Sequence, residues 1–104
     1  MLVTLVINRD LVETFSNIDD AVTWLVRLRR MHNIEENVVT VIFTHCDSEE
    51  KISDIASTIH KCGIEPKGIV KNCISFRVKI YPPENAEKLL KCLKEIIKVD
   101  ILKR

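Results

Sequence analysis

Residues 67–97 read KGIVKNCISFRVKIYPPENAEKLLKCLKEII, and three successive patterns in this stretch decide the fold. Lys67–Lys71 and Ile74–Tyr81 are β-rich runs around Asn72-Cys73, which predicts a hairpin. The second run alternates without error. Ile74, Phe76, Val78 and Ile80 face one way, and Ser75, Arg77, Lys79 and Tyr81 the other. Pro82-Pro83 stops the strand, and Pro83 suits the first turn of a helix, where its missing N–H costs nothing. Ala86, Leu89, Leu90, Leu93 and Ile97 then recur at helical spacing and define one apolar face. Val99–Leu102 reads either as the frayed end of that helix or as a short edge strand.

Upstream of this stretch, Ile52, Ile55, Ala56, Ile59 and Cys62 mark a second amphipathic helix. Asp47 or Ser48 caps its start, Glu49 and Glu50 suit its positive N-terminal end, and Gly63 is placed to end it. Val38–Cys46 is the most apolar strand. Both of its alternating sets hold large apolar residues, so it belongs in the middle of a sheet. Nearer the N-terminus, Leu2–Ile7 and Leu11–Phe15 flank the turn residues Asn8-Arg9-Asp10 as a hairpin. A helix follows, with Asn17 as N-cap, Asp20 as its capping partner, and Ala21, Trp24, Leu25, Leu28 and Met31 on its buried stripe.

The element order is therefore ββα followed by βαββα with an optional last strand. It predicts an α+β protein, a ferredoxin-like two-layer sandwich with a mainly antiparallel sheet and helices on one face. Residues 1–104 form one domain: 38–104 make the ferredoxin-like core, and 1–37 add a hairpin and helix to that sheet or to a partner's. Leu5, Val6 and Asn8 correspond to Ile69, Val70 and Asn72, and Ala21, Leu25 and Leu28 to Ala86, Leu90 and Leu93. These matches raise the alternatives of a true internal repeat or similar packing demands.

Composition narrows the function classes. No apolar run approaches the ~20 residues of a membrane helix, and Met1–Ile7 is too short for a signal peptide's apolar region, so a cytoplasmic protein is expected. Gln is absent while Ile, Lys and Glu are abundant, a bias shared by proteins from hot environments and by A/T-rich genomes. The net charge of +1 hides a division. Residues 1–50 hold four Lys/Arg against nine Asp/Glu, and residues 51–104 hold twelve against six. The two halves attract each other within the fold or between subunits, or the basic half meets an anionic partner.

No catalytic signature is present and no cofactor is implied. The four cysteines include no Cys-x-x-Cys pair. His45-Cys46 and His60-x-Cys62 lie at opposite ends of one helix, roughly 20 Å apart at 1.5 Å per residue, so they share no metal site within a protomer. Cys62 and Cys92 read as small residues on apolar helix faces. Cys46 and Cys73 fall at the same end of the sheet, within bridging reach. A disulfide there runs against the habit of cytosolic chains outside hyperthermophiles.

Two candidate surfaces follow. Lys71, Ser75, Arg77, Lys79 and Tyr81 belong to the face the helices leave open. Cations for phosphates and a ring for stacking point to RNA or DNA there, against the alternatives of a solvated face or a homodimer interface. His45, Asp47, Ser48 and Lys71 gather where free helix N–H groups could receive an anion or small ligand, against the alternative of an ordinary capped helix. A homodimer is expected, because a short chain with an open sheet has surface to cover.

Within Val38–Ile80, the run VIFTHCDSEEKISDIASTIHKCGIEPKGIVKNCISFRVKI resembles part of the wybutosine-pathway tRNA methyltransferase family. There a strand, a helix and two glycine-led pairs five residues apart precede a β-strand, a spacing shared by Gly63-Ile64 and Gly68-Ile69. The resemblance implies ancestry in tRNA modification and an RNA partner. The same segment is similar to ACT-type regulatory domains, which implies a dimer that senses a small metabolite. Asp47-Ser48-Glu49-Glu50 stands where those domains carry a glycine turn.

Overall fold

A computed structural model describes residues 1–66 and 68–102. Strands β1 (Leu2–Asn8) and β2 (Leu11–Phe15) form the N-terminal hairpin, and α1 (Ile18–Met31) follows. Next come β3 (Val39–Cys46), α2 (Glu49–Thr58) with a 3₁₀ turn over Ile59–Cys62, β4 (Gly68–Val70), β5 (Cys73–Ile80) and α3 (Pro83–Leu102). The five strands make one sheet in the order β2-β1-β3-β5-β4, and every neighbouring pair is antiparallel. The fold is the α+β two-layer arrangement expected from the element order. Lys67, expected to open the fourth strand, lies outside the described residues.

Local chemistry sets the element ends. Asn17 accepts the Asp20 N–H at 2.8 Å, and its amide donates to the Asp20 carboxylate at 3.0 Å. Ser48 accepts the Lys51 N–H at 3.3 Å. Gly63 follows the 3₁₀ turn at φ +78, a left-handed conformation that glycine adopts without a Cβ clash.

The core is one continuous cluster. Val3, Leu5, Val39, Val41, Phe43, Ile74 and Phe76 supply the covered face of the sheet. Ala21, Leu25, Ile52, Ile55, Ile59, Leu90 and Leu93 supply the helices. Phe43 stacks on Phe76 across the β3–β5 pair with ring centroids 5.1 Å apart. Val78, on the same face, is only half-buried.

Met31, expected on the buried stripe of α1, is 75% exposed, and three further points change or settle alternatives that the sequence leaves open. Val99–Leu102 forms no strand, since α3 runs to Leu102. The place beside β3 is taken by β1, whose alternating Val3, Leu5 and Ile7 supply the apolar face that β3 requires. The N-terminal hairpin thus extends the protein's own sheet. Second, the β4–β5 turn is Lys71-Asn72, one residue earlier than expected, because Val70 pairs with Cys73 and Cys73 joins the ladder opposite Cys46. Lys71 consequently adopts φ 57. Third, the two hairpins are not equivalent: β1 is inside the sheet while β4 is on its edge, so similar packing accounts for the matching residues.

Candidate functional site: the open face of the sheet

Direct antiparallel partners project to the same face, so the strand register draws the open face as a grid. One row runs Thr14, Thr4, Ile42, Arg77 across β2, β1, β3 and β5. The row below it runs Val12, Val6, Thr40, Lys79. The row above runs Leu2, Thr44, Ser75 and Gly68, and Cys46, Cys73 and Val70 close that end. The hydroxyls of Thr4 and Thr14 are 2.9 Å apart, in keeping with this register.

The grid is graded in chemistry. On β2 and β1 it carries valines, a leucine and threonines, and on β5 it carries Ser75, Arg77 and Lys79, all exposed. None of these outward strand positions, all among the described residues, is Asp or Glu. The carboxylates lie on helices, loops and the helix side of β2, where Glu13 pairs with Leu5.

The five residues expected to form a nucleic-acid surface are partly brought together. Ser75, Arg77 and Lys79 stand in line on β5, roughly 7 Å from one to the next at two residues' rise. Tyr81 lies one residue past the end of β5, and its hydroxyl donates to Glu36 at 3.2 Å. That hydrogen bond, supported by the charge of Glu36, raises the phenol pKa above its ordinary value. Lys71 is in the turn at the other end and borders a hollow with Glu49 and Asn72. The cationic part of the face is therefore Arg77 and Lys79.

At the start of α2 the second candidate set is assembled, but largely around itself. Asp47 accepts the Ser48 N–H at 2.7 Å and lies 3.9 Å from both the Lys51 ammonium and the His45 Nε2. The Ser48 hydroxyl caps the helix. His45 faces the helix side beside Phe43, its ring 6.4 Å from that ring. Asp47 takes the Ser48 N–H, the Ser48 hydroxyl takes that of Lys51, and Glu49 and Glu50 add negative charge at the helix start, which disfavours an incoming anion. Among the described residues there is no group of three His, Cys, Asp or Glu placed to hold a metal.

Two features escaped the sequence reading. Cys62 and Cys92, expected as plain apolar-face residues, are half-buried and bonded to each other, tying the 3₁₀ turn to the middle of α3. Arg29 donates to Glu35 at 2.9 Å and to Glu87 at 2.8 Å, linking α1, its following loop and α3. Both carboxylates hold the guanidinium pKa above its ordinary value. These contacts depend on how helices lie against one another, which periodicity along one helix does not reveal. Cys46 and Cys73 lie within bridging reach as expected, but they are bonded as a disulfide, against the expectation for a cytosolic chain.

No described helix is long and apolar enough to cross a membrane. The chain matches no family model, no curated protein and no solved structure.

Proposed function

We propose that this protein is a non-enzymatic module that binds RNA through the open face of its sheet. The observation that carries this reading is charge: the face presents Arg77 and Lys79 and no outward carboxylate. A polyanion meets two cations on the strands and no outward carboxylate there, Glu36 lying at the rim beside Tyr81. The surrounding threonine and serine hydroxyls can donate to phosphate or sugar oxygens. The same distribution argues against a second copy as the occupant, because its open face offers no carboxylate to Arg77 and Lys79. Pairing of two copies along the free edge of β2 meets a related obstacle. A register centred on Glu13 sets two carboxylates opposite each other.

The test is a titration of short single-stranded RNA and duplex DNA at several salt concentrations. Binding should weaken steeply with salt. The Arg77→Ala/Lys79→Ala double variant should flatten the log–log slope by up to about 1.4–1.8 units, since each lost phosphate contact removes roughly 0.7–0.9. Absence of binding at low salt rejects the function. Binding unchanged in the double variant rejects the surface.

A further inference from the structure

The two disulfides close loops of similar length, with sequence separations of 27 and 30, but they sit in different mechanical settings. Cys62–Cys92 joins the 3₁₀ turn to the middle of α3, next to Ile59, Leu89 and Leu93, all in the core. Cys46–Cys73 is the terminal pair of the β3–β5 ladder, with Cys46 the last residue of β3 and Cys73 the first of β5. Beyond it only Asp47 N–H to Asn72 C=O, at 3.0 Å, continues the pairing. The adjoining strand β4 has three residues, none of them buried. Fraying therefore starts at Cys46–Cys73, whereas Cys62–Cys92, though half-buried and bordering a surface hollow with Lys61, Asn85 and Lys88, is tied between packed helices.

We infer that Cys46–Cys73 is a thiol-exchange site that accepts a low-molecular-weight monothiol, with Cys46 as the sulfur attacked. Cys46 is exposed, and Cys73 is half-buried. Exchange requires the attacking sulfur to reach one disulfide sulfur and the other to leave as thiolate, and the better-stabilised thiolate leaves faster. Cys46 adjoins the Asp47 carboxylate, which disfavours negative charge on its sulfur. Cys73 lies two residues from Lys71 and has no acid within two residues along the chain, Asp47 reaching it only across the ladder through Asn72. Both accessibility and leaving-group charge thus select the same direction.

The step balances without an outside oxidant. The incoming thiolate forms a new S–S bond with Sγ of Cys46 while the Cys46–Cys73 bond breaks. The electron pair leaves on Sγ of Cys73, which takes a proton from water. One disulfide is exchanged for another, and a second monothiol would release Cys46 as thiol and carry the oxidising equivalent away as its own disulfide. The site stands apart from the RNA-binding reading and does not depend on it.

The experiment uses the oxidised full chain and glutathione as the probe. Samples are quenched with an alkylating reagent at intervals, digested with trypsin and read by mass spectrometry. Lysines and arginines separate all four cysteines into different peptides, so each is scored alone. The expected result is a glutathione adduct on Cys46 with alkylated Cys73, formed at least tenfold faster than any change at Cys62 or Cys92. Opening of Cys62–Cys92 at an equal or greater rate overturns the assignment of the site. An adduct mainly on Cys73 overturns the assignment of the attacked sulfur.

Discussion

Strands β1, β3 and β5 present two faces built from alternate residues of the same segments, and the two could hardly differ more. Toward the helices stand Val3, Leu5, Val39, Val41, Phe43, Ile74 and Phe76, all buried. Away from them stand Thr4, Ile42, Thr44, Ser75, Arg77 and Lys79, half-buried or exposed, with Thr40 the one buried among them. Each covered position is constrained by volume, because close packing penalises both a void and an overfilled site. The open positions carry no such constraint, so their identities are free to serve an interaction. A one-residue slip would exchange the two sets, and that gives the register its strength.

This contrast can be tested first where the effect is largest. Phe43 is 1% exposed and stacked on Phe76. Phe43→Ala should cost about 3–5 kcal/mol, enough to unfold much of the population of a domain this size. Denaturant titration followed by circular dichroism measures it. A loss below about 1 kcal/mol would mean that the face is not packed as described.

The helix layer offers a test of intermediate size. Glu87 is nearly buried in α3 and accepts from Arg29 of α1, so Glu87→Ala leaves a guanidinium short of one charged partner. Hydrogen bonds to charged groups are worth about 1.5–3 kcal/mol, and the same titration should register a loss in that range. The Lys94–Asp19 pair also joins α3 to α1 but is exposed, and it should be more sensitive to added salt than the Arg29–Glu87 pair. Equal salt dependence of the two would show that Glu87 is solvated.

The open face supplies the counterpart. Arg77→Ala/Lys79→Ala removes two exposed side chains from the face that the helices leave uncovered, and its unfolding free energy should stay within about 0.5 kcal/mol of the parent. A larger loss would make these cations structural and remove the basis for assigning them to a partner.

The two faces also explain what could be read without a structure. The alternation of Ile74 to Ile80 assigned both faces correctly, since a period of two fixes direction for every residue in a strand. The caps at Asn17 and Ser48 and the left-handed Gly63 were legible for the same local reason. Pairing partners were not. Val3-Leu5-Ile7 specifies an apolar strand face but not which strand it lies beside, so the role of β1 next to β3 was invisible. The Cys62–Cys92 bond and the Arg29–Glu87 contact fell in the same gap, being set by helix-to-helix placement. Of the proposed surface, the line Ser75, Arg77, Lys79 was legible. The threonines that complete it became neighbours only once β1 and β2 were placed.

The smallest effect concerns the rim of the open face, at the chain's one tyrosine. Tyr81 is 53% exposed, yet its hydroxyl is engaged with Glu36, so its ring is tethered at the strand end and is not a free stacking platform. The Glu36 carboxylate favours the protonated phenol, which raises the folded-state pKa above the ordinary 10.0. A raised folded pKa means that the contact's contribution to stability is complete below the unfolded value and is lost as pH climbs through the folded one. Phenolate absorbance should accordingly titrate above pH 10 in the parent, and Glu36→Gln should bring the midpoint down toward 10. If the midpoint is the same in both proteins, Glu36 does not hold the ring. Tyr81 is then free to turn onto the open face, and Tyr81→Ala should weaken single-stranded RNA by the roughly 1–3 kcal/mol of a stacked base. With the tether intact, the same substitution should leave RNA binding almost unchanged, because the affinity then resides in Arg77 and Lys79.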